Sequence, residues 1–327
     1  MDKKVKWGIL GPGNIANQFA KATGVIPDAE LTAVGSRSME RANKFADKYD
    51  IPKRFGSYED LANDPDVEAI YVATPHPFHK EYTILCLKAG KAVLCEKPFA
   101  VNTRQVKEMI ECAKTEKVFL MEAMWTRFLP IMVKVREWIA DGVIGEPRML
   151  TADFGFRSGL NPEGRLFNPE LAGGGLLDVG VYTVAMAYMI FGEPACINSM
   201  AHIGETGVDE QAAMVFGYDK GQIAMLSCAI RTSTPQEARI MGTEGSIYLP
   251  GFWHGTSAVL QVSGKEPQNV DMPFKGNGYE YEVMEVMKCL EERKLESNIV
   301  PLSESLAIMK TLDEIREQWK LKYPFEE

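Results

Sequence analysis

Apolar positions in the first third of the chain switch repeatedly between two periods. Short alternating or continuous apolar runs at 4–10, 31–35, 69–73, 92–95 and 118–121 predict strands. Between them, at 14–23, 39–49, 78–89 and 103–114, apolar residues recur every three to four positions, as amphipathic helices require. Gly90 stands where a helix end takes a left-handed residue, and Ser57 and Asn102 stand where a helix start takes an N-cap. Such alternation predicts a parallel, doubly wound α/β sheet. Near 122–129 the rhythm changes. A helix at 131–140 and the turn-like Gly145-Glu146-Pro147 lead to a strand at 148–156, and further strands at 197–203, 211–218, 222–230, 237–242 and 246–249 follow with short links. Short links mean antiparallel pairing. Helices at 280–293 and 304–320 close the chain, and no repeat or low-complexity linker interrupts it.

Two domains are the natural expectation for 327 residues, here 1–122 and 123–327. In the strand at 222–230, Ala224, Leu226, Cys228 and Ile230 alternate with Ile223, Met225 and Ala229, so both faces are apolar. Either a second copy stacks on one face, giving a homodimer, or helices cover both. A composition of 46% hydrophobic and 25% charged residues is ordinary for a globular protein. The net charge of −9 offers no broad basic field for nucleic acid or an anionic membrane, which leaves a small molecule as the expected partner. Met1-Asp2-Lys3-Lys4 runs straight into a strand pattern without the apolar stretch of a signal peptide, and no apolar run approaches bilayer-spanning length. Six scattered cysteines without a Cys-x-x-Cys pair read as buried, reduced thiols, and the expected location is cytoplasmic.

The chemistry begins at the first turn. Gly8-Ile9-Leu10-Gly11-Pro12-Gly13-Asn14-Ile15-Ala16 lies between a strand and a helix, as a dinucleotide fingerprint requires. Gly11 permits the tight turn, Gly13 permits close approach of a pyrophosphate, and Ala16 permits helix–sheet packing. The first domain is therefore expected to be a Rossmann domain. At the tip of the second strand, where an NAD site offers a carboxylate, stand Ser36, Arg37 and Ser38, with Arg41 one turn on. Guanidinium and hydroxyl groups suit a 2′-phosphate, so NADP is the expected cofactor, with NAD still possible because Glu40 weakens the field. Thr74, Pro75, His76 and His79 form another turn at a carboxyl edge of the sheet. No cysteine or carboxylate accompanies the two histidines at ligand spacing, so cofactor contact or helix capping is expected and no metal. Glu96 and Lys97 end the strand at 92–95 and point to the same crevice, while Asp178 and Tyr182 lie four apart on an apolar helix after Gly173-Gly174-Gly175. Lysine, carboxylate and phenol together move a proton on and off a hydroxyl.

Gly8 to Ala16, Thr74 to His79, Ala89 to Pro98 and Gly173 to Tyr182 resemble the glucose–fructose oxidoreductase, inositol dehydrogenase and rhizopine-catabolism (Gfo/Idh/MocA) family, over essentially the whole chain. Within it, Met121-Glu122-Ala123-Met124-Trp125-Thr126-Arg127-Phe128, Tyr182 in place of a histidine, and Glu205-Thr206-Gly207-Val208-Asp209 resemble the dimeric dihydrodiol dehydrogenase and NADP-linked D-xylose dehydrogenase branch. That resemblance implies an open-faced, mostly antiparallel sheet in a C-terminal α+β domain that also dimerises. It implies Lys97 and Tyr182 as the catalytic pair, Asp178 as their orienting partner, Arg37 and Arg41 on the 2′-phosphate, and Trp125, Phe154, Trp253 and Phe274 around a sugar or diol. The activity implied is hydride transfer between nicotinamide and a sugar or diol hydroxyl or carbonyl. A catalytically silent NADP(H)-binding sensor and an NAD-dependent glycosidase are the alternatives, and retention of Lys97, Asp178 and Tyr182 argues against the sensor.

Overall fold

Strands β1 (Val5–Leu10), β2 (Ala29–Gly35), β3 (Lys53–Phe55), β4 (Ala69–Val72), β5 (Ala92–Glu96) and β6 (Leu120–Ala123) pair in parallel in the order β3-β2-β1-β4-β5-β6. Every residue of β4, β5 and β6 is buried, which is why they read as continuous apolar runs: helices cover both faces of a parallel sheet. Strand order reverses between β1 and β4, and ligands of such sheets bind outside the carboxyl ends at that point. Helices α1 (Asn14–Thr23), α2 (Met39–Tyr49), α3 (Tyr58–Ala62), α4 (His79–Lys88) and α5 (Thr103–Glu116) fill the connections. Ser57 and Asn102 cap as expected, their side chains accepting the N–H groups of Asp60 and Gln105 at 3.1 Å each. Gly90 has φ +74°. The three-residue β3 and five-residue α3 are too short to show a period and were not anticipated.

The computed structural model describes residues 4–326. Its backbone divides into two units, one running to Trp125 and including Lys275–Leu306, the other Thr126–Phe274 with the residues from Ala307 onward. Segment 275–306, which chain order alone assigns to the second domain, thus joins the first. Its helix α8 (Glu280–Glu291) packs against α1, and Asn277 Nδ2 donates to Gln18 O at 2.9 Å.

The second unit holds α6 (Pro130–Ala140), α7 (Val181–Phe191) and most of α9 (Leu302–Gln318), with an eight-stranded sheet. Its strands are β7 (Pro147–Gly155), β8 (Cys196–Ile203), β9 (Asp209–Gly217), β10 (Ile223–Ala229), β11 (Ala238–Gly242), β12 (Gly245–Leu249), β13 (Ser257–Val262) and β14 (Gln268–Asp271), in the order β14-β13-β12-β11-β7-β10-β9-β8. All pairs are antiparallel except β7 with β10. Helix α7 packs on β7 and β10, burying Ala224, Leu226 and Cys228. Among the described residues the opposite face is left exposed. Met225 pairs with Val215 and Ile223 with Met149, and with Met200 these apolar side chains stand 38–78% exposed. Helices on both faces are therefore ruled out for this sheet.

Two expectations need correction. Pro169–Phe191 is apolar and long enough to cross a membrane by length and composition, yet 83% of its most apolar window is buried inside the protein, as in a core helix. All six cysteines are free as expected, but Cys196 is exposed and Cys112 half-exposed, because each falls on the solvent side of its element.

Candidate active site

β1 ends at Leu10 and α1 starts at Asn14, so the glycine run is the entire connection. Gly11 has φ +94°, and a Cβ there would lie 3.2 Å from Ala73 O, so the turn needs glycine. No side chain caps α1 and no acidic residue stands in its first turn. The opening N–H groups of α1 are thereby left to an anion, with Gly13 and Asn14 exposed and Pro12 and Ile15 half-buried beside them. A dinucleotide pyrophosphate fits this cradle.

At the tip of β2 the two serines shape the turn. Ser36 Oγ accepts the Ser38 N–H at 3.2 Å, and Ser38 caps α2 by accepting the Arg41 N–H at 3.4 Å. Arg37 and Arg41 stay exposed. The Arg37 guanidinium stands 5.7 Å from the Phe78 ring centroid, and both arginines pull the Tyr58 pKa down against the burial that raises it. Tyr58, which opens α3, therefore belongs to this basic corner and was not foreseen.

His79 is buried, with Nδ1 2.8 Å from Pro98 O and Nε2 2.8 Å from Thr74 O. Burial drives its pKa down to about 4, so the ring is neutral at pH 7. A neutral imidazole has one N–H, so one of these contacts is a hydrogen bond and the other is held by packing. Its two nitrogens face the carbonyls of two strand–helix loops, so the imidazole braces loops and caps no helix. His76 lies half-buried at its edge, 5.8 Å between centroids, and Pro75 is exposed. Among the described residues no group of three or more His, Cys, Asp or Glu is arranged to hold a metal.

Lys97 is half-buried and directly follows β5. Glu96 accepts a hydrogen bond from the Tyr71 hydroxyl and another from the Lys97 N–H at 3.2 Å. Phe19 of α1 stacks on Tyr71 with centroids 4.1 Å apart, coupling this acid to the helix of the glycine turn. Glu122 of β6 accepts the Phe99 N–H at 3.0 Å and is pushed up to about 7 by burial. Glu282 of α8 is fully buried, and burial with the charge of Glu96 raises it well above the usual carboxylate range. Trp125, also buried in this unit, stacks on Tyr279 at 4.3 Å.

In the other unit Asp178 lies on a π-helical turn, Leu176–Gly180, that passes into α7 at Val181. The wider turn keeps Asp178 and Tyr182 on adjoining parts of one face, and π turns inside helices are frequent at functional sites. Asp178 is buried and accepts from Arg165 Nη1 at 2.7 Å. Arg165 comes from the motif-poor stretch 156–171, where nothing in the sequence singled it out. Tyr182 is buried, its ring 5.5 Å from Phe154 and 6.3 Å from Trp253. Phe154 and Trp253 stack at 4.6 Å and 15°. Trp253 is fixed at both ends, its Nε1 donating to Gln236 Oε1 at 3.0 Å and its carbonyl accepting from Thr126 Oγ1 at 2.8 Å. Phe274 is half-buried in the link after β14. Three of the anticipated residues, Phe154, Tyr182 and Trp253, thus form one aromatic cluster.

Residues 5–124 match the oxidoreductase family with an NAD-binding Rossmann fold, and residues 132–248 match the GFO/IDH/MocA C-terminal domain. The chain belongs to the Gfo/Idh/MocA oxidoreductase family. Within this family it is similar to trans-1,2-dihydrobenzene-1,2-diol dehydrogenase of Mus musculus, 41% identical over 98% of each chain. The anticipated likeness to the dihydrodiol dehydrogenase branch therefore holds at full length. Among solved structures, an aldose–aldose oxidoreductase from Caulobacter crescentus has a TM-score of 0.89 at 24% identity, with 97% of this chain and 98% of that one covered. A 3-ketoreductase from Actinomadura kijaniata, in complex with NADP and TDP-benzene, has a TM-score of 0.85 at 22% identity, with 96% and 98% covered. Both bear out the fold anticipated for this Gfo/Idh/MocA chain: a Rossmann sheet and a large, mostly antiparallel sheet.

Proposed function

We propose that this oxidoreductase uses NADP to interconvert a hydroxyl and a carbonyl on a sugar or vicinal diol, with Tyr182 and Lys97 handling the proton. The observation that carries the reading is the buried Tyr182 phenol set against the stacked pair Phe154 and Trp253. Flat aromatic faces suit the apolar face of a sugar ring and an aromatic diol alike, and the phenol is the polar group that orients either. The bound nicotinamide supplies or accepts the hydride. In oxidation Tyr182 takes the hydroxyl proton, and the Lys97 ammonium favours the resulting phenolate. Asp178 orients the pair, and Arg165 holds Asp178. Trp125 and Phe274 complete the lining. D-xylose, further aldoses and trans-1,2-dihydrobenzene-1,2-diol, each assayed with NADP and NAD, test the assignment; no nicotinamide-linked turnover on any of them overturns it.

Arg37 and Arg41 carry the NADP preference in this reading, because no carboxylate stands at the tip of β2 to repel a 2′-phosphate. Their exposure leaves both guanidinium groups available to it. Changing both to alanine is expected to weaken NADP binding while NAD binding stays level, read by titrating each cofactor. A parent that prefers NAD, or an unaltered cofactor ratio in the variant, removes the assignment.

The uncovered apolar face of β7, β8, β9 and β10 is proposed as the surface of a homodimer. Light scattering at low protein concentration is expected to give about twice 36.4 kDa, and Val215→Asp with Met225→Asp is expected to lower it to one chain. A parent that is a fully active monomer contradicts this.

A further inference from the structure

Asp209, the first residue of β9, is fully buried. Its Oδ2 accepts the N–H of Leu176, where the helical segment bearing Asp178 and Tyr182 begins, at 2.6 Å. The glycines before that point make room for it. Gly174 has φ +119°, and a Cβ there would lie 2.1 Å from Asp209 Oδ1; one on Gly175 would lie 3.3 Å from Oδ2. The third glycine is held from another side, where the Tyr323 hydroxyl donates to Gly173 O at 2.7 Å. Tyr323 lies 5.0 Å under the guanidinium of Arg316, which also pairs with Glu326 at 2.6 Å and Asp313 at 2.9 Å. Further along, a Cβ on Gly180 would lie 3.0 Å from Cys228 Sγ, so the segment fits closely on β10. Its start is thus clamped between a carboxyl group from the sheet and a phenol from the C-terminal tail.

We propose that Asp209 is a positioning residue: its carboxyl group, seated where Gly174 and Gly175 leave space, sets where Tyr182 and Asp178 stand. The catalytic half of this inference rests on the proton-transfer role proposed for Tyr182. A carboxylate at a helix start is favoured by the N–H groups and the dipole there, and it holds that start more tightly than a neutral acid. Opposing this is burial, which pushes Asp209 up to about 7 against the Leu176 and Gly175 N–H groups and the Arg316 charge. Oδ1 has no hydrogen-bond partner among the described residues, leaving room for a proton. The titratable groups that face it are Arg316 of α9, Tyr323 of the tail and Cys228 of β10, and the last two remain neutral near pH 7 because burial raises both. Asp209 is then the group whose charge changes near neutrality, and the anchor loosens as pH falls through that range.

The test compares parent, Asp209→Asn and Asp209→Ala as full chains carrying ring-¹³C tyrosine, with the Tyr182 resonance assigned by its loss in Tyr182→Phe. The parent's Tyr182 resonance is expected to show a step near pH 7 in addition to the phenol's own ionisation, and Asp209→Asn, which keeps an acceptor oxygen but no charge, is expected to show a displaced one that lacks that step. Turnover of trans-1,2-dihydrobenzene-1,2-diol with NADP is expected to fall roughly 10- to 100-fold in Asp209→Ala and less in Asp209→Asn, at unchanged NADP affinity. A Tyr182 resonance with the parent position and pH response in folded Asp209→Asn overturns the positioning role. If instead the resonance moves while Tyr182→Phe keeps full turnover, the positioning role stands and the catalytic assignment of Tyr182 falls. Should Asp209→Ala fail to fold, Asp209→Asn alone decides between these outcomes.

Discussion

Tyr182→Phe protein is expected to lose roughly 10²–10⁴-fold in kcat for diol or sugar oxidation while its NADP affinity stays unchanged. The substitution keeps the ring that meets Phe154 at 5.5 Å and Trp253 at 6.3 Å, so the aromatic cluster stays filled and only one oxygen is lost. The glycine turn and the basic corner belong to the other unit of the chain, so the cofactor contacts have no reason to weaken. Cofactor titration and kcat therefore separate loss of the proton path from loss of the fold. In the parent, oxidation is expected to accelerate with rising pH, because a phenolate is the base, and reduction is expected to slow, because a phenol is the acid. Parental turnover in the folded variant would send the search for the proton carrier to His76. His79 is a poorer candidate, since both its nitrogens face backbone carbonyls at 2.8 Å.

What was legible in the sequence was whatever local sterics or periodicity decides. Gly11 had to be glycine because the chain turns there with φ +94°, and Asn102 and Ser57 had to cap because a short polar side chain precedes an apolar period. The span of α1 follows from its period in the same way. Long-range placement was not legible. Nothing in the pattern of α8 says that Val283, Val286 and Met287 are buried in the Rossmann unit, because an amphipathic helix covers any apolar surface of the right width. Arg165 was invisible for a related reason: an arginine in a polar loop looks solvated until Asp178 is found 2.7 Å away. The serines at the tip of β2 carry a contact that their type alone did not announce. Each oxygen accepts a backbone N–H, which leaves its O–H to donate to a phosphate.

Lys97→Met is expected to lower kcat by about 10²–10³-fold, the scale on which removing one group that stabilises a developing anion costs turnover. The proposed anion is the Tyr182 phenolate, so the loss is expected to grow as pH falls, and the alkaline limb of the oxidation profile is expected to move upward. Methionine has a similar length, so what this replacement removes is the charge. Glu96 lies against the Lys97 N–H, and Glu122 and Glu282 are held toward their neutral forms by burial. A second consequence distinguishes this account from simple loss of a contact: Lys97→Arg, which keeps the charge but spreads it over a plane, is expected to restore the position of the limb more fully than it restores kcat. An unmoved limb in Lys97→Met, with Tyr182→Phe still inactive, would mean that the lysine positions substrate and that the phenol is activated by something else.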